Sequence, residues 1–205
     1  MPARLRLTLL VTTAILVAAL GGVVVFGGGS DGASDAKGAD PTGFHGAVRP
    51  PGAPVPDFRL RDQDGKLATM DQYRGRTVVL TFMYSTCEDT CPLAAQSIRG
   101  ALDDLGEDLP VIAVSVDPKD DTPFHVDNFL VKQRMNGRMR FLTGTRAQLE
   151  PIWKAYGIQP QGQGFEHSAS TVVIGADGQQ RVGFLTNQLT PDGLAADLRR
   201  VQRES

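Results

Sequence analysis

The chain has 205 residues, of which 41% are hydrophobic and 21% are charged, and its formal net charge is -2 at pH 7. This length fits one domain of about 100 to 200 residues with a short appendage, and the composition excludes a wholly disordered protein. The near balance of charges and the 6% of aromatic residues argue against a nucleic acid as partner. The function is therefore expected to come from a local site.

The N-terminus has the pattern of a membrane segment. Arg4 and Arg6 precede an uncharged, largely apolar run from residue 7 to residue 26. About 20 residues at about 1.5 Å each span the hydrocarbon layer of a bilayer, whereas a signal peptide needs only about 7 to 15 apolar residues. We predict a membrane anchor or signal segment over residues 1–29, with one transmembrane helix favoured. The arginines then place the rest of the chain on the extracytoplasmic side of the plasma membrane, and the lack of a following cysteine excludes a lipoprotein anchor.

Residues 30–47 are rich in Gly, Ala, Ser and Asp and poor in large apolar residues. Such a segment buries too little surface to order itself, so we expect a flexible tether. The pattern typical of a folded protein begins near Val48, which predicts one globular domain over residues 48–205.

The first half of this domain predicts a hairpin, a buried strand and a helix. The dipeptide Asp64-Gly65 supplies the left-handed turn that joins two short strands. Residues 77–84, TVVLTFMY, form a continuous β-branched and aromatic run that is typical of a strand buried on both faces. Pro92 then opens an apolar pattern of helical spacing that reaches Leu105, and proline favours the first position of a helix.

The second half alternates strands with helices. Strands are predicted at 111–116, 140–143, 170–174 and 181–185, and helices at 123–132, 147–156 and 191–202. Asp121 or Thr122 is expected to cap the first of these helices, and Gly157 to end the second. This order predicts an α/β protein with a mixed central sheet flanked by helices, and a thioredoxin-like fold fits it.

The two cysteines of the chain, Cys87 and Cys91, lie between the buried strand and the first helix. A helix N-terminus carries unpaired amides and the positive end of the helix dipole, which favour a thiolate. Three intervening residues allow the two sulfur atoms to share a soft metal ion or to form a disulfide. A purely structural disulfide is disfavoured, because closing so short a loop constrains the unfolded chain only weakly. A thiol-disulfide oxidoreductase usually has two residues between its cysteines, so that alternative is weakened but stays open.

A third ligand would distinguish a metal site from a redox pair, and His167 is the candidate. It follows the Gly-rich run at 159–166 and precedes the strand at 170–174, where a thioredoxin-like sheet would bring it beside the cysteines. His45 in the tether and His125 on a surface helix are expected to be solvated. Two thiolates and an imidazole suit copper as Cu(I) or Cu(II), whereas zinc usually takes a fourth ligand.

Three blocks of the sequence together resemble the Sco/SenC family of copper proteins. They are LTFMYSTCEDTCPL at 80–93, SVDPKDDTP at 115–123 and EHSASTVVIGADG at 166–178. Glu88, Asp120 and Glu166 replace residues that are usual in the family, whereas both cysteines and the histidine of the third block match.

The resemblance implies a membrane-anchored, thioredoxin-like domain that binds copper through Cys87, Cys91 and His167. Asp117 falls on the family's acidic position near the metal and Asp89 matches within the cysteine motif, so both are expected next to the ligands. The implied role is that of a metallochaperone that delivers copper to, or prepares the cysteines of, the binuclear copper A site of cytochrome c oxidase subunit II.

The same resemblance implies that a disulfide between Cys87 and Cys91 is the metal-free form in an oxidising compartment. The alternative function is a membrane-anchored thiol-disulfide oxidoreductase that uses the two cysteines without an obligatory metal.

Overall fold

The computed structural model describes residues 42–160 and 170–204. The predicted anchor, the tether as far as residue 41 and His167 lie outside these ranges. Within them, no helix has both the length and the apolar character that crossing a membrane requires.

The described strands are β1 (Ala47–Val48), β2 (Arg59–Arg61), β3 (Leu67–Thr69), β4 (Val78–Met83), β5 (Val111–Ser115), β6 (Met139–Leu142), β7 (Ser170–Ile174) and β8 (Gln180–Leu185). Six of them form a sheet in the order β1-β8-β7-β4-β5-β6. β4, β5 and β6 run parallel to one another, whereas β7 is antiparallel to both β4 and β8. β2 and β3 form the predicted hairpin. The expected mixed central sheet is confirmed.

The same ranges contain four α-helices: α1 (Thr90–Leu105), α2 (Pro123–Gln133), α3 (Arg146–Tyr156) and α4 (Pro191–Arg203). Short 3-10 helices occupy Met70–Tyr73 and Thr186–Gln188. The hydroxyl of Thr122 accepts the N–H of His125, so Thr122 rather than Asp121 caps α2. Gly157 ends α3 with a φ of 67°, as predicted.

The central strand β4 is buried along its whole length, as its continuous β-branched and aromatic sequence predicts. Successive side chains of a strand point to opposite faces of the sheet. Val79 and Met83 accordingly pack into a core formed with α1, α2 and α4, whereas Leu80 and Phe82 pack into a second core formed with α3 and the hairpin. The loop after β4 is therefore attached to a strand that is held on both faces.

Helix α1 begins two residues earlier than predicted, at Thr90 rather than at Pro92. The proline occupies the third helical position, where its missing N–H costs little because the amides of the first turn have no intrahelical acceptor. This correction places Cys91 inside the first turn of α1 and leaves Cys87 in the preceding loop.

The end of the predicted tether packs against the domain. Phe44 is only 6% exposed, and the guanidinium of Arg200 lies 4.5 Å from the centre of its ring. The backbone N–H groups of His45 and Gly46 donate to the buried carboxylate of Asp197 at 2.9 to 3.1 Å. These residues contribute to the fold although the composition around them is that of a tether, because one aromatic side chain is enough to anchor a short segment.

A protein that begins at residue 42 is expected to be more stable than one that begins at Val48. Burial of a phenylalanine side chain contributes about 1.5 to 3 kcal/mol, and the truncation also removes the backbone donors to Asp197. Urea denaturation of the two proteins measures the difference. Equal free energies of unfolding would show that the packing of Phe44 contributes nothing.

Candidate metal and redox site

Both cysteines lie just after the carboxyl end of β4. Cys87 lies in the loop and is 7% exposed, whereas Cys91 lies in the first turn of α1 and is fully buried. Both are free thiols in the structure. Cys87 also lines an open depression of about 310 Å³ between the start of α1 and the side of α2. Of the two sulfur atoms, that of Cys87 is therefore the one within reach of another molecule.

The sulfur of Cys87 is surrounded by hydrogen-bond donors. It accepts the backbone N–H of Cys91 at 3.3 Å and lies 3.7 Å from the hydroxyl of Thr90. A hydrogen bond from the Cys91 thiol lowers the pKa of Cys87 to about 4, and the backbone N–H groups of Cys91 and Asp89 add to this effect against the opposing effect of burial. The same thiol contact, together with burial, raises the pKa of Cys91. At neutral pH Cys87 is the thiolate and Cys91 its protonated partner.

Tyr84 is a further contact of Cys87, and the sequence motifs give it no role. Its ring packs against both cores of the domain. Burial and then a hydrogen bond with Cys87 raise the pKa of Tyr84, so its phenol stays protonated and donates to the thiolate. The sequence feature that could have indicated this contact is the position of Tyr84 at the end of the buried run TVVLTFMY, directly before the cysteine loop.

The two acidic residues expected beside the ligands lie on different loops. Asp89 precedes α1, is exposed, and makes no side-chain capping bond. Asp117 follows β5, and its backbone N–H donates to the hydroxyl of Ser115 at 3.2 Å. The charge of Asp117 contributes to the raised pKa of Tyr84, which places it near the cysteine loop. A role for either carboxylate beside a metal stays a prediction.

Asp121, which the sequence suggests only as a helix cap, is a buried carboxylate behind the cysteine loop. It is 5% exposed and accepts both the N–H and the hydroxyl of Ser85 at 2.6 Å. Its second oxygen accepts the hydroxyl of Ser115 at 2.5 Å. Burial raises the pKa of Asp121 despite these donors. No local pattern predicts this contact, because Ser85 and Asp121 are 36 positions apart in the sequence.

The structure describes two of the three histidines, and His167 is not one of them. His125 is half-buried, lines the depression beside Cys87, and has its ring Nδ1 2.8 Å from the carbonyl oxygen of Asp120. His125 is thus partly exposed on its helix, and its position beside Cys87 was not predicted. In the part of the chain that the structure describes, no group of three or more His, Cys, Asp or Glu side chains is arranged to hold a metal ion. The three-ligand set stays a prediction.

The model of the SCO1/SenC family matches residues 47–203. The chain belongs to the SCO1/SenC family. It is 28% identical over 151 residues to a Stutzerimonas stutzeri protein that is provisionally named as copper-binding, which covers 68% of this chain and 72% of that protein. It is 25% identical over 135 residues to a SCO2-like protein of Rickettsia conorii, which covers 60% of this chain and 65% of that protein.

Solved structures of Sco proteins share the fold. ScoI of Bradyrhizobium japonicum with copper bound is 27% identical, with a TM-score of 0.57 over 71% of this chain and 98% of that chain. BsSco, which is described as having a disulfide switch and as a member of a family of cytochrome c oxidase assembly proteins, is 24% identical, with a TM-score of 0.65 over 78% of this chain and 99% of that chain. The second likeness concerns the fold alone.

The sulfur donors of this SCO1/SenC domain suit a soft metal ion. Thiolates, not thiols, are metal ligands, and Cys87 is already ionised at neutral pH. Loss of one further proton, from Cys91, yields a pair of adjacent thiolates. The same pair of sulfur atoms also supports thiol-disulfide exchange, in which the thiolate is the nucleophile.

Proposed function

We propose that this chain binds copper and takes part in the assembly of cytochrome c oxidase, by delivering copper to, or preparing the cysteines of, the binuclear copper A site of subunit II. The observation that carries the proposal is the unequal pair Cys87 and Cys91 at a helix start, in a domain whose relative ScoI holds copper. Soft thiolate ligands select Cu(I) over harder ions. The link to the oxidase rests on membership of the SCO1/SenC family and on the resemblance of the three sequence blocks to that family.

Cys87, Cys91 and His167 are the proposed ligands, with Asp117 and Asp89 beside them. Binding through the two sulfur atoms requires that both be reduced and ionised. The disulfide of Cys87 and Cys91 is then the metal-free form. Copper passes to a recipient by ligand exchange, in which a recipient thiolate replaces Cys87 first because Cys91 is buried.

We place the domain on the extracytoplasmic side of the plasma membrane, held by residues 1–29. The uncharged run at 7–26 and the arginines before it support this location. Disulfides persist in such an oxidising compartment, so the redox state of the two cysteines decides whether copper is bound.

The reduced domain is expected to bind about one copper ion and the oxidised domain almost none, because a disulfide removes both thiolates. Copper content after gel filtration of the two forms measures the difference. The double variant Cys87→Ser, Cys91→Ser is the control and should behave as the oxidised form does. Equal copper in reduced and oxidised protein would exclude a two-thiolate site.

Binding of Cu(I) at pH 7 is expected to release about one proton per ion rather than two, because metal binding displaces protons only from ligands that still carry them. Cys91 holds such a proton and Cys87 does not. Anaerobic calorimetry in buffers of different ionisation enthalpy counts the protons. Release of two would show that Cys87 is protonated before the metal arrives.

A thiol-disulfide oxidoreductase is the second candidate, and the lowered pKa of Cys87 beside the buried thiol of Cys91 favours it. The Cys87 thiolate would attack a disulfide of the recipient, and Cys91 would then resolve the mixed disulfide. The recipient gains two electrons and two protons, one proton from Cys91 and one from the solvent because Cys87 is already ionised, and this chain becomes the disulfide. Full oxidase assembly by a variant that reduces disulfides but binds no copper would favour this candidate.

A further inference from the structure

One buried carboxylate joins the loop that carries Cys87 to the loop that carries Asp117. The two oxygens of Asp121 accept three hydrogen bonds of 2.5 to 2.6 Å. Two come from Ser85, through its backbone N–H and its hydroxyl, and the third comes from Ser115. Two hydrogen bonds from one residue to the same oxygen restrain its backbone and its side chain at once. Ser85 is therefore firmly held, by backbone and side chain together.

The restrained residue Ser85 lies close in sequence to the sulfur of Cys87. Ser85 precedes Cys87 by two positions, and the backbone N–H of Cys87 donates to the carbonyl of Tyr84 at 3.4 Å. The turn from Tyr84 to Cys87 is closed by this hydrogen bond and anchored at Ser85, so the sulfur of Cys87 has few alternative positions. The sulfur is held where the backbone N–H of Cys91, at the start of α1, donates to it.

The other side of the carboxylate is equally restrained. Ser115 ends β5, and its hydroxyl also accepts the backbone N–H of Asp117 at 3.2 Å. The carbonyl of Ser115 accepts the indole N–H of Trp153, which is buried, at 2.9 Å. The Asp117 loop is thus tied to the core, and Asp121 ties the Cys87 loop to the same residue.

We propose that Asp121 is the positioning residue of the site, which fixes Cys87 over the amino end of α1 and at a set distance from the Asp117 loop. The inference rests on the proposed function only for the role of Cys87 in copper binding. The positioning of Cys87 by Asp121 does not depend on copper, because it determines which of the two thiols is accessible to other molecules.

A carboxylate suits this position because all three groups that face it can donate. Asp121→Ala leaves those donors without their acceptor and frees the loop. Asp121→Asn keeps one oxygen for Ser85 and offers an amide N–H to Ser115, whose hydroxyl turns and accepts it. The asparagine variant should therefore restore most of the geometry, which a role in charge alone would not allow.

The test is site-resolved alkylation of the reduced, full-length protein with iodoacetamide at pH 7, read by mass spectrometry. Wild-type protein is expected to react at Cys87 and to protect Cys91. In Asp121→Ala the ratio of Cys87 to Cys91 modification should fall by about 10-fold, the equivalent of one lost hydrogen bond. Asp121→Asn should return most of that loss. A ratio unchanged in folded Asp121→Ala would overturn the proposal.

Asp197→Ala is the matched control, because Asp197 is also a buried carboxylate, and it accepts the backbone N–H groups of His45 and Gly46, the first of which is shared between its two oxygens. It should lower stability and leave the alkylation ratio unchanged. An equal fall of the alkylation ratio in Asp197→Ala would show that any loss of stability lowers the ratio, and it would overturn the proposal.

If Asp121→Ala does not fold, the variant Ser85→Ala provides the test. A smaller fall of the alkylation ratio in that variant supports the proposal, and an unchanged ratio overturns it. Wild-type protein that binds no copper would end the proposed function, while the alkylation ratio would still decide the role of Asp121.

Discussion

Replacement of His167 by alanine is expected to lower the affinity for Cu(II) by at least roughly 10- to 100-fold, the loss already seen for residues that only support a ligand. Both cysteines keep their ability to form and exchange a disulfide. The effect on Cu(I) should be smaller, because two thiolates alone hold Cu(I), whereas Cu(II) prefers an additional nitrogen ligand. Loss of the Cu(II)-thiolate charge-transfer absorption and a competition titration measure the change.

The other two histidines provide matched controls for this prediction. His125 lies in the depression beside Cys87 and is the alternative source of an imidazole ligand. His125→Ala and His45→Ala should both retain the absorption. Retention in His167→Ala with loss in His125→Ala would transfer the ligand role to His125. Normal oxidase assembly in cells that carry only His167→Ala would favour the reductant function.

Alkylation of Cys87 should be almost independent of pH between pH 6 and pH 8. Its pKa of about 4 means that the thiolate forms as the pH rises through about 4 and is complete well below neutrality. An ordinary thiol with a pKa of about 8.5 would instead react roughly 75-fold faster at pH 8 than at pH 6. Single-residue alkylation rates across pH 3 to pH 9, obtained by rapid quenching, provide the measurement.

Cys91 supplies the internal reference for that experiment. Its raised pKa keeps it protonated across the same range, so its modification should be slow and should increase only toward alkaline pH. A Cys87 rate that climbs steeply from pH 6 to pH 8 would show that the donors around its sulfur do not stabilise the thiolate. The Cys87→Ser variant confirms which rate belongs to which residue.

The architecture was largely predictable from the sequence, because side-chain periodicity reports directly on burial. β4 shows this most clearly: its short β-branched and apolar run, interrupted only by Thr81, predicts a strand with both faces covered, and such a strand lies in the middle of a sheet. The turn at Asp64-Gly65 and the end of α3 at Gly157 were equally predictable, since both depend on backbone geometry that few residues adopt. Burial periodicity and turn geometry depend on residues that are neighbours in the sequence, which is why both could be predicted.

What the sequence could not predict are contacts between distant parts of the chain. Asp121 is acidic, polar and next to a helix cap, so nothing near it indicates that Ser85 and Ser115 will enclose it. Phe44 stands alone in a polar segment, and the surface on which it packs, including Arg200 of α4, exists only after the chain has folded. The start of α1 was misplaced for a different reason, because proline fits all the early positions of a helix and not the first alone.

Strand β1 has only two residues, yet it covers part of one edge of the sheet. Its pairing with Gly183 and Val182 occupies part of the outer side of β8, and at the opposite edge Arg61 of the hairpin forms a bridge to Thr143, just beyond β6. Open strand edges invite pairing with another chain. A truncation that removes β1 would uncover part of β8 and should promote self-association. The fraction of aggregated protein would then increase with protein concentration, whereas a simple loss of stability does not depend on concentration.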